Sequence, residues 1–352
     1  MRVITCEQVS NGHPDKLCDQ IADAIVTDCL KHDRKSRVAA EVLIKNEFIV
    51  VAGEITSKWN PNYEMLISEV FERVGPTKLD YEKIRLINLV RKQSGDIAMG
   101  VNKGGAGDQG MMYGYATNET PEMLPIPFVL ATDFLKRLGE KNDPRLKADA
   151  KAQVSFDYDS GKVTTFLCSV QHRKEFEPKG FREDVTKLMK EVCAERGFNT
   201  DFEKLVNPTG RFVIGGSFAD CGVTGRKIAC DTYGGVGRLG GGALSGKDPT
   251  KVDRSGAYIA RKIAKDIVVL GYCDKCEVQI AYAIGVPEPV SVYVNTFGTG
   301  HASDDMINGY VNSFDLTPRG IIKTLNLLGI DYNKVSAYGH FWNQEMPWEK
   351  NG

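Results

Sequence analysis

The order of elements along the chain constrains its fold more than any single motif does. Helix, β-hairpin and helix recur three times. The first copy is a helix from Pro14 to about Leu30, strands Arg37–Lys45 and Glu47–Thr56 about a Lys45-Asn46 turn, and an amphipathic helix Tyr63–Val74. The second is a helix from Pro121 to Leu138, strands Lys151–Tyr158 and Lys162–Gln171 around Asp159-Ser160-Gly161, and a helix from Phe181 to Arg196. The third is a helix from Arg254 to Leu270, strands Glu277–Ile284 and Val290–Phe297 joined through Pro287, and a helix from Pro318 to Leu328. An opening strand Arg2–Cys6 and another at Lys83–Arg91 complete the set. Units of roughly 110–120 residues built this way imply an α+β fold of three lobes, each a sheet covered by helices. At 352 residues the chain has room for two or three domains.

The stretch from Pro208 to Arg254 interrupts this pattern and reads as an active site. Between its many glycines stand Arg211, Arg226, Lys227, Lys247 and Lys251, with the acids Asp220, Asp231, Asp248 and Asp253. Glycine lets backbone N–H groups approach an anion closely, and basic side chains add charge-assisted hydrogen bonds to phosphate oxygens. Isolated aspartates among such cations point to a metal ion or a substrate ammonium. Interleaved Phe212, Val213, Ile214, Ile228 and Tyr233 tie the stretch to a core, against the plainer reading of a mobile surface loop.

Two generic motifs inside it fail on context. Gly235 to Gly240 matches GxGxxG, but more glycine follows where a dinucleotide fold needs a helix, and Ala260 stands where an acid is required. Gly241 to Lys247 fits GxxxxGK. There Asp248 replaces the metal-binding Ser/Thr, and Pro249 blocks the helix that must start.

A formal net charge of −1 leaves no basic field for nucleic acid or an acidic membrane, so the central cations serve a compact anion. The N-terminal MRVITCEQVS has neither apolar core nor cleavage site, and no apolar run reaches the ~20 residues of a membrane span. Nine cysteines, an odd number, suit a reducing cytoplasm. Cys273 and Cys276 form a CxxC with no second pair to complete a zinc site, and read as incidental.

Outside the central stretch, His13 and Asp15 stand at the entrance of the first helix, where free N–H groups and the dipole can receive an anion. Read plainly, His13 is only a cap and Asp15 only complements the dipole. Glu41 and Glu54 sit inside largely apolar strands, which is costly unless they are paired or solvated. Lys92 to Gly110 is polar and glycine-rich, a lid or a linker, and makes the first plausible domain boundary.

With these residues assembled, the chain resembles the S-adenosylmethionine synthetase family over nearly its whole length. The resemblance rests on GHPDK at 12–16, GAGDQG at 105–110, GYATNE at 114–119, DAK at 149–151 and NPTGRF at 207–212. It continues through DCGVTGRK at 220–227, DTYGG at 231–235, GGGALSGKDPTKVDR at 240–254 and YGHF at 338–341. It implies three similar lobes with pseudo-threefold symmetry, each a mixed or antiparallel sheet, divided here as 1–103, 104–213 and 214–352. It implies a homodimer with active sites between subunits, pairing of dimers into a tetramer, and S-adenosylmethionine made from ATP and L-methionine with later cleavage of tripolyphosphate. Two Mg²⁺ and one K⁺ per site would assist.

Carried over by position, His13 would bond near the leaving oxygen, and Lys151, Arg226, Lys227 and Lys247 would clamp the triphosphate. Asp149, Arg211, Phe212, Asp220 and Ala243 would complete the ATP site, with Phe212 stacked on adenine. Glu54, Gln93, Asp108, Asp220 and Lys251 match methionine-site positions, Asp15 and Asp253 magnesium ligands, and Glu41 the potassium ligand. A gating loop would run through Gln93, Ser94, Gly95, Val101 and Gly104. Its segment from Ile97 to Gly104 is shorter than expected, and Gly95 stands where proline is common.

Overall fold

The structure, a computed structural model, describes residues 2–74, 84–92, 105–176 and 179–350. The predicted gating loop, Gln93 to Gly104, lies outside the described residues.

Three sheets and their helices form a mixed α+β fold. In the first sheet β1 (Val3–Val9) runs antiparallel to β6 (Leu146–Asp157), β6 antiparallel to β7 (Lys162–His172), and β8 (Glu203–Val206) parallel to β7. The second joins β5 (Gly110–Thr117), β10 (Lys275–Tyr282) and β11 (Ser291–Asn295), all antiparallel neighbours. In the third, β2 (Arg37–Lys45) pairs antiparallel with β3 (Phe48–Thr56), β3 pairs parallel with β4 (Arg85–Arg91), and β9 (Gly222–Val223) adds to the other edge of β2.

The repeating units are therefore not self-contained. β1 belongs to the sheet of the central hairpin, β5 to that of the C-terminal hairpin, and β9 to that of the N-terminal hairpin. Each third lends one strand to the next, in a cycle. The borrowed strand covers an edge that would otherwise present unpaired N–H and C=O groups.

The main helices are α1 (Pro14–His32), α2 (Tyr63–Val74), α3 (Ile126–Glu140), α4 (Lys179–Glu195), the short α5 (Ile228–Asp231), α6 (Val252–Val269), α7 (Asp304–Val311) and α8 (Pro318–Thr324). The short α5 and α7 are not among the expected helices, and two that are expected are cut back for local reasons. α3 starts at Ile126 and not Pro121, because Met123 is left-handed (φ 56°) and Pro125 disfavours helix in the residue before it. α8 stops at Thr324 because Asn326 is left-handed (φ 48°), and a short 3₁₀ turn follows at Leu327–Gly329.

The buried apolar residues form two cores. One joins α1, α2, α6 and the second and third sheets, and the other lies under α3 and α4 against the first sheet. α1 and α6 are buried along most of their length, so their charged residues need internal partners. Neither generic glycine motif opens a helix: residues 232–251 are turns, bends and irregular backbone with a single bridge at Lys247, and α6 begins only at Val252.

Candidate active site

Pro14 occupies the first helical position of α1, where a missing N–H is no loss. His13 is the N-cap, its Nδ1 accepting from the Asp15 N–H at 3.1 Å. The plain reading of His13 as a cap therefore holds, and it has a chemical corollary. With Nδ1 accepting, a neutral ring carries its proton on Nε2. Burial, and after it the charge of Lys227, push the His13 pKa down to about 3, so the ring is neutral at physiological pH. Gly12 fixes this entrance to β6, since a Cβ there would lie 2.1 Å from the Cβ of Ala148.

Asp15 is buried and accepts from the Val223 N–H at 2.9 Å and from Lys227 Nζ at 2.6 Å. Burial opposes its ionisation, but these bonds outweigh it and hold the carboxyl below its usual range. Lys151 on β6 and Asp220 are the other charges acting on His13. Asp149 is buried, accepts from the Gly216 N–H at 2.8 Å, and is pushed up by that burial. Half-buried Phe212 is tied to the end of β7 in both directions. Its N–H donates to His172 Nε2 at 3.1 Å, and its carbonyl accepts from the His172 N–H at 2.9 Å. Arg211 and Arg226 are exposed, and Arg226 donates to the Cys221 carbonyl at 3.1 Å.

A second group forms around the start of α6. Lys247 Nζ lies 2.7 Å from Asp253. Lys251 pairs with Asp248, which in turn accepts from the Val38 N–H at 2.7 Å. Ala243 packs where a Cβ on Gly225 would come within 2.5 Å of it, and a Cβ on the preceding Gly242 would collide with Asp253. The two groups share one edge of β2. Val223, bonded to Asp15, pairs with Leu43, whereas Lys247 bridges to Ala39. Those anchors are four residues apart, about 13 Å along an extended strand. Asp15, Lys247, Lys251 and Asp253 thus line a single edge in separate lysine–aspartate pairs.

Other expected site residues stand apart in this chain. Glu41 and Glu54 are exposed on the outward face of the third sheet, Glu41 beside Ala52 and Glu54 between Ala39 and Arg91. Within one chain they are solvated, the plain alternative for acids on apolar strands. Apart from Arg91 beside Glu54, the adjoining positions on that face are apolar: Leu43, Val50 and Ile87 form one cross-strand row, and Leu89 continues the row of Glu41. Asp108 is exposed just ahead of β5. Gln93, Ser94, Gly95, Val101 and Gly104 lie outside the described residues.

Sequence reasoning missed the acids behind the site. Asp19 accepts from the Gly225 N–H at 2.8 Å, and Asp23 from the Gly246 N–H at 2.9 Å. Lys16, fully buried, pairs with Asp19 at 2.8 Å and with Asp231. The signal was present: Asp15, Asp19 and Asp23 repeat at the four-residue spacing of one helix face.

Three family models cover the chain in succession: the S-adenosylmethionine synthetase N-terminal domain at residues 1–95, the central domain at 103–212 and the C-terminal domain at 214–350. An S-adenosylmethionine synthase of Sorangium cellulosum is 45% identical over 98% of this chain and 87% of its own length. Those of Brachyspira hyodysenteriae and Treponema denticola are each 44% identical over 98% of this chain, and over 94% and 95% of their own lengths. Glycine-rich backbone, lysine–aspartate pairs and the full span of these matches lead to one assignment: the chain belongs to the S-adenosylmethionine synthetase family and is a methionine adenosyltransferase.

Proposed function

We propose that the site joins ATP and L-methionine by attack of the thioether sulfur on the ribose C5′, and then cleaves the bound tripolyphosphate to phosphate and pyrophosphate. A thioether carries no proton, so the attack needs no general base. The demand falls on the departing chain, whose negative charge grows in the transition state. The array of fixed cations along the β2 edge is the observation that carries the reading.

In this reading Lys151, Arg226, Lys227 and Lys247 clamp the phosphates, with Arg211, Phe212, Asp149, Asp220 and Ala243 around the nucleoside. His13, neutral with its proton on Nε2, donates to the leaving oxygen. Glu54, Asp220, Gln93 and Lys251 would receive methionine, Glu54 and Asp220 at its ammonium and Gln93 and Lys251 at its carboxylate, with Asp108 offered to the methionine site of the neighbouring subunit. Among the described residues no three His, Cys, Asp or Glu side chains form a ready-made metal cage. That suits magnesium, which takes one or two carboxylates and fills its shell with water and phosphate oxygens. Asp15 and Asp253 would each supply one. Bound magnesium neutralises charge developing on the tripolyphosphate. Glu41 would hold potassium.

The reading includes a homodimer that completes each site across a two-fold contact, with pairing of dimers into a tetramer. The apolar rows on the outward face of the third sheet support this, because they lie beside Glu41, Glu54 and the lysine edge. A second copy seated there would bring its own edge cations to these carboxylates. The cyclic lending of strands supports pseudo-threefold symmetry among the lobes. Nine free thiols suit the cytoplasm.

The test is a mixture of protein, ATP, methionine, Mg²⁺ and K⁺ analysed by mass spectrometry. The sulfonium product is expected, with phosphate and pyrophosphate in equal amounts. Phosphate release indifferent to methionine would sink the reading.

A further inference from the structure

One face of α1 acts as a rail for the glycine-rich stretch. Asp15, Asp19 and Asp23 accept, in that order, the N–H groups of Val223, Gly225 and Gly246. Each is answered by a full charge, Asp15 by Lys227, Asp19 by Lys16 and Asp23 by Arg254. Asp23 and Arg254 are both completely buried, with Nη2 of Arg254 2.6 and 2.7 Å from the two carboxylate oxygens. Nη1 of the same guanidinium donates to the Lys247 carbonyl at 2.9 Å, and the group lies over the Tyr332 ring at 4.3 Å. The pair therefore grips the backbone on both sides of the Lys247 Cα, through the Gly246 N–H and the Lys247 carbonyl. Its arginine also directly follows Asp253. Gly246 has little freedom to move otherwise: φ is +82°, and a Cβ would meet the Ala40 carbonyl oxygen at 2.0 Å.

Burying two charges is a poor way to gain stability, since apolar side chains of similar volume often serve as well or better. What the pair does supply is geometry. We propose that Asp23 and Arg254 are positioning residues that hold Lys247 and Asp253 in register with the Asp15–Lys227 pair, without touching substrate. This rests on the reading of Lys247 and Asp253 as phosphate and metal groups. The Lys251 ammonium is held separately, by Asp248, which accepts from the Val38 N–H, so methionine binding is not the property at stake.

The double variant Asp23→Leu/Arg254→Met replaces the pair by apolar side chains. Arg254→Lys is the milder change, keeping the charge while giving up the fork, and carries the test should the double variant not fold. Both are compared with wild type and Lys247→Ala for melting temperature, kcat, KM for ATP, KM for methionine and half-saturating Mg²⁺. A folded variant is expected to lose about tenfold or more in kcat and to need severalfold more Mg²⁺, with KM for methionine within about twofold. A folded variant with kcat and Mg²⁺ requirement near wild type, alongside an impaired Lys247→Ala, would overturn the proposal. A fully active Lys247→Ala would instead overturn the reading of the site on which it rests.

Discussion

His13 and Asp15 stand two residues apart, and burial disfavours the charged form of both. For Asp15 the bonds from Lys227 and Val223 reverse that tendency; for His13 nothing does. Between the ordinary 6.5 and the folded value of about 3, the native state binds fewer protons at His13 than the unfolded chain. Its contribution is complete above pH 6.5 and is lost as pH falls toward the folded value. His340 adds to the effect, since burial and the charges of Arg254 and Lys16 push it well below its usual range. Calorimetry should show little change near pH 7 and a steepening loss of stability below pH 6.5, the slope approaching about 1.4 kcal/mol per pH unit for each such ring as pH nears 5. His13→Asn should flatten that slope by one ring's share; an unchanged slope would contradict a buried neutral imidazole. The depressed Asp15 carboxyl has the same sign, its contribution failing only at more acid pH. Lys247 and Asp253 are 24% and 19% exposed, so their ion pair is worth at most about 1 kcal/mol to the fold. Lys247→Ala or Asp253→Ala should therefore melt near wild type yet lose about a hundredfold or more in product formation. Near-normal turnover would refute the phosphate-clamp assignment.

Elements matter here chiefly for where they carry these groups. α6 brings Asp253 to the β2 edge, and its backbone packs on β5 with no space between: a Cβ on Gly114 would lie 1.9 Å from the Ala260 carbonyl oxygen. Gly114→Ala must push the helix away. It should cost about 1–3 kcal/mol in urea unfolding and lower kcat more than a remote change of equal stability. An unaltered kcat would mean that α6 can shift without disturbing Asp253. Most elements are legible because their apolar periodicity is strong: α2 matches to the residue and the β2–β3 hairpin to within one, whereas β6 begins five residues before the expected Lys151. The misses at Pro121 and Leu328 came from single left-handed residues, Met123 and Asn326, which periodicity does not register. The glycine motifs were set aside correctly, because a motif needs its helix and none followed.

At the scale of the whole molecule the outward sheet faces become informative. Leu89 and Ile87 are 50% and 41% exposed on the face that holds Glu41 and Glu54, and Met111 and Tyr293 are 55% and 56% exposed on the second sheet. Leu89→Glu should leave far-UV dichroism intact, shift the light-scattering mass to that of one chain, and abolish synthesis. A fully active monomer would remove the shared-site proposal. The residue types of the site, the alternating strands and the three recurrences were all written in local spacing, where each side chain's chemistry and each helical or extended period are decided by near neighbours. Which sheet a strand joins is a different matter. β1, β5 and β9 could each have paired within their own third, and only the folded chain decided that they cross to the next, because an open edge anywhere in the molecule competes for the same hydrogen bonds. The same holds for Asp23 and Arg254, 231 positions apart in sequence and joined only when α1 and α6 come together to bury both charges.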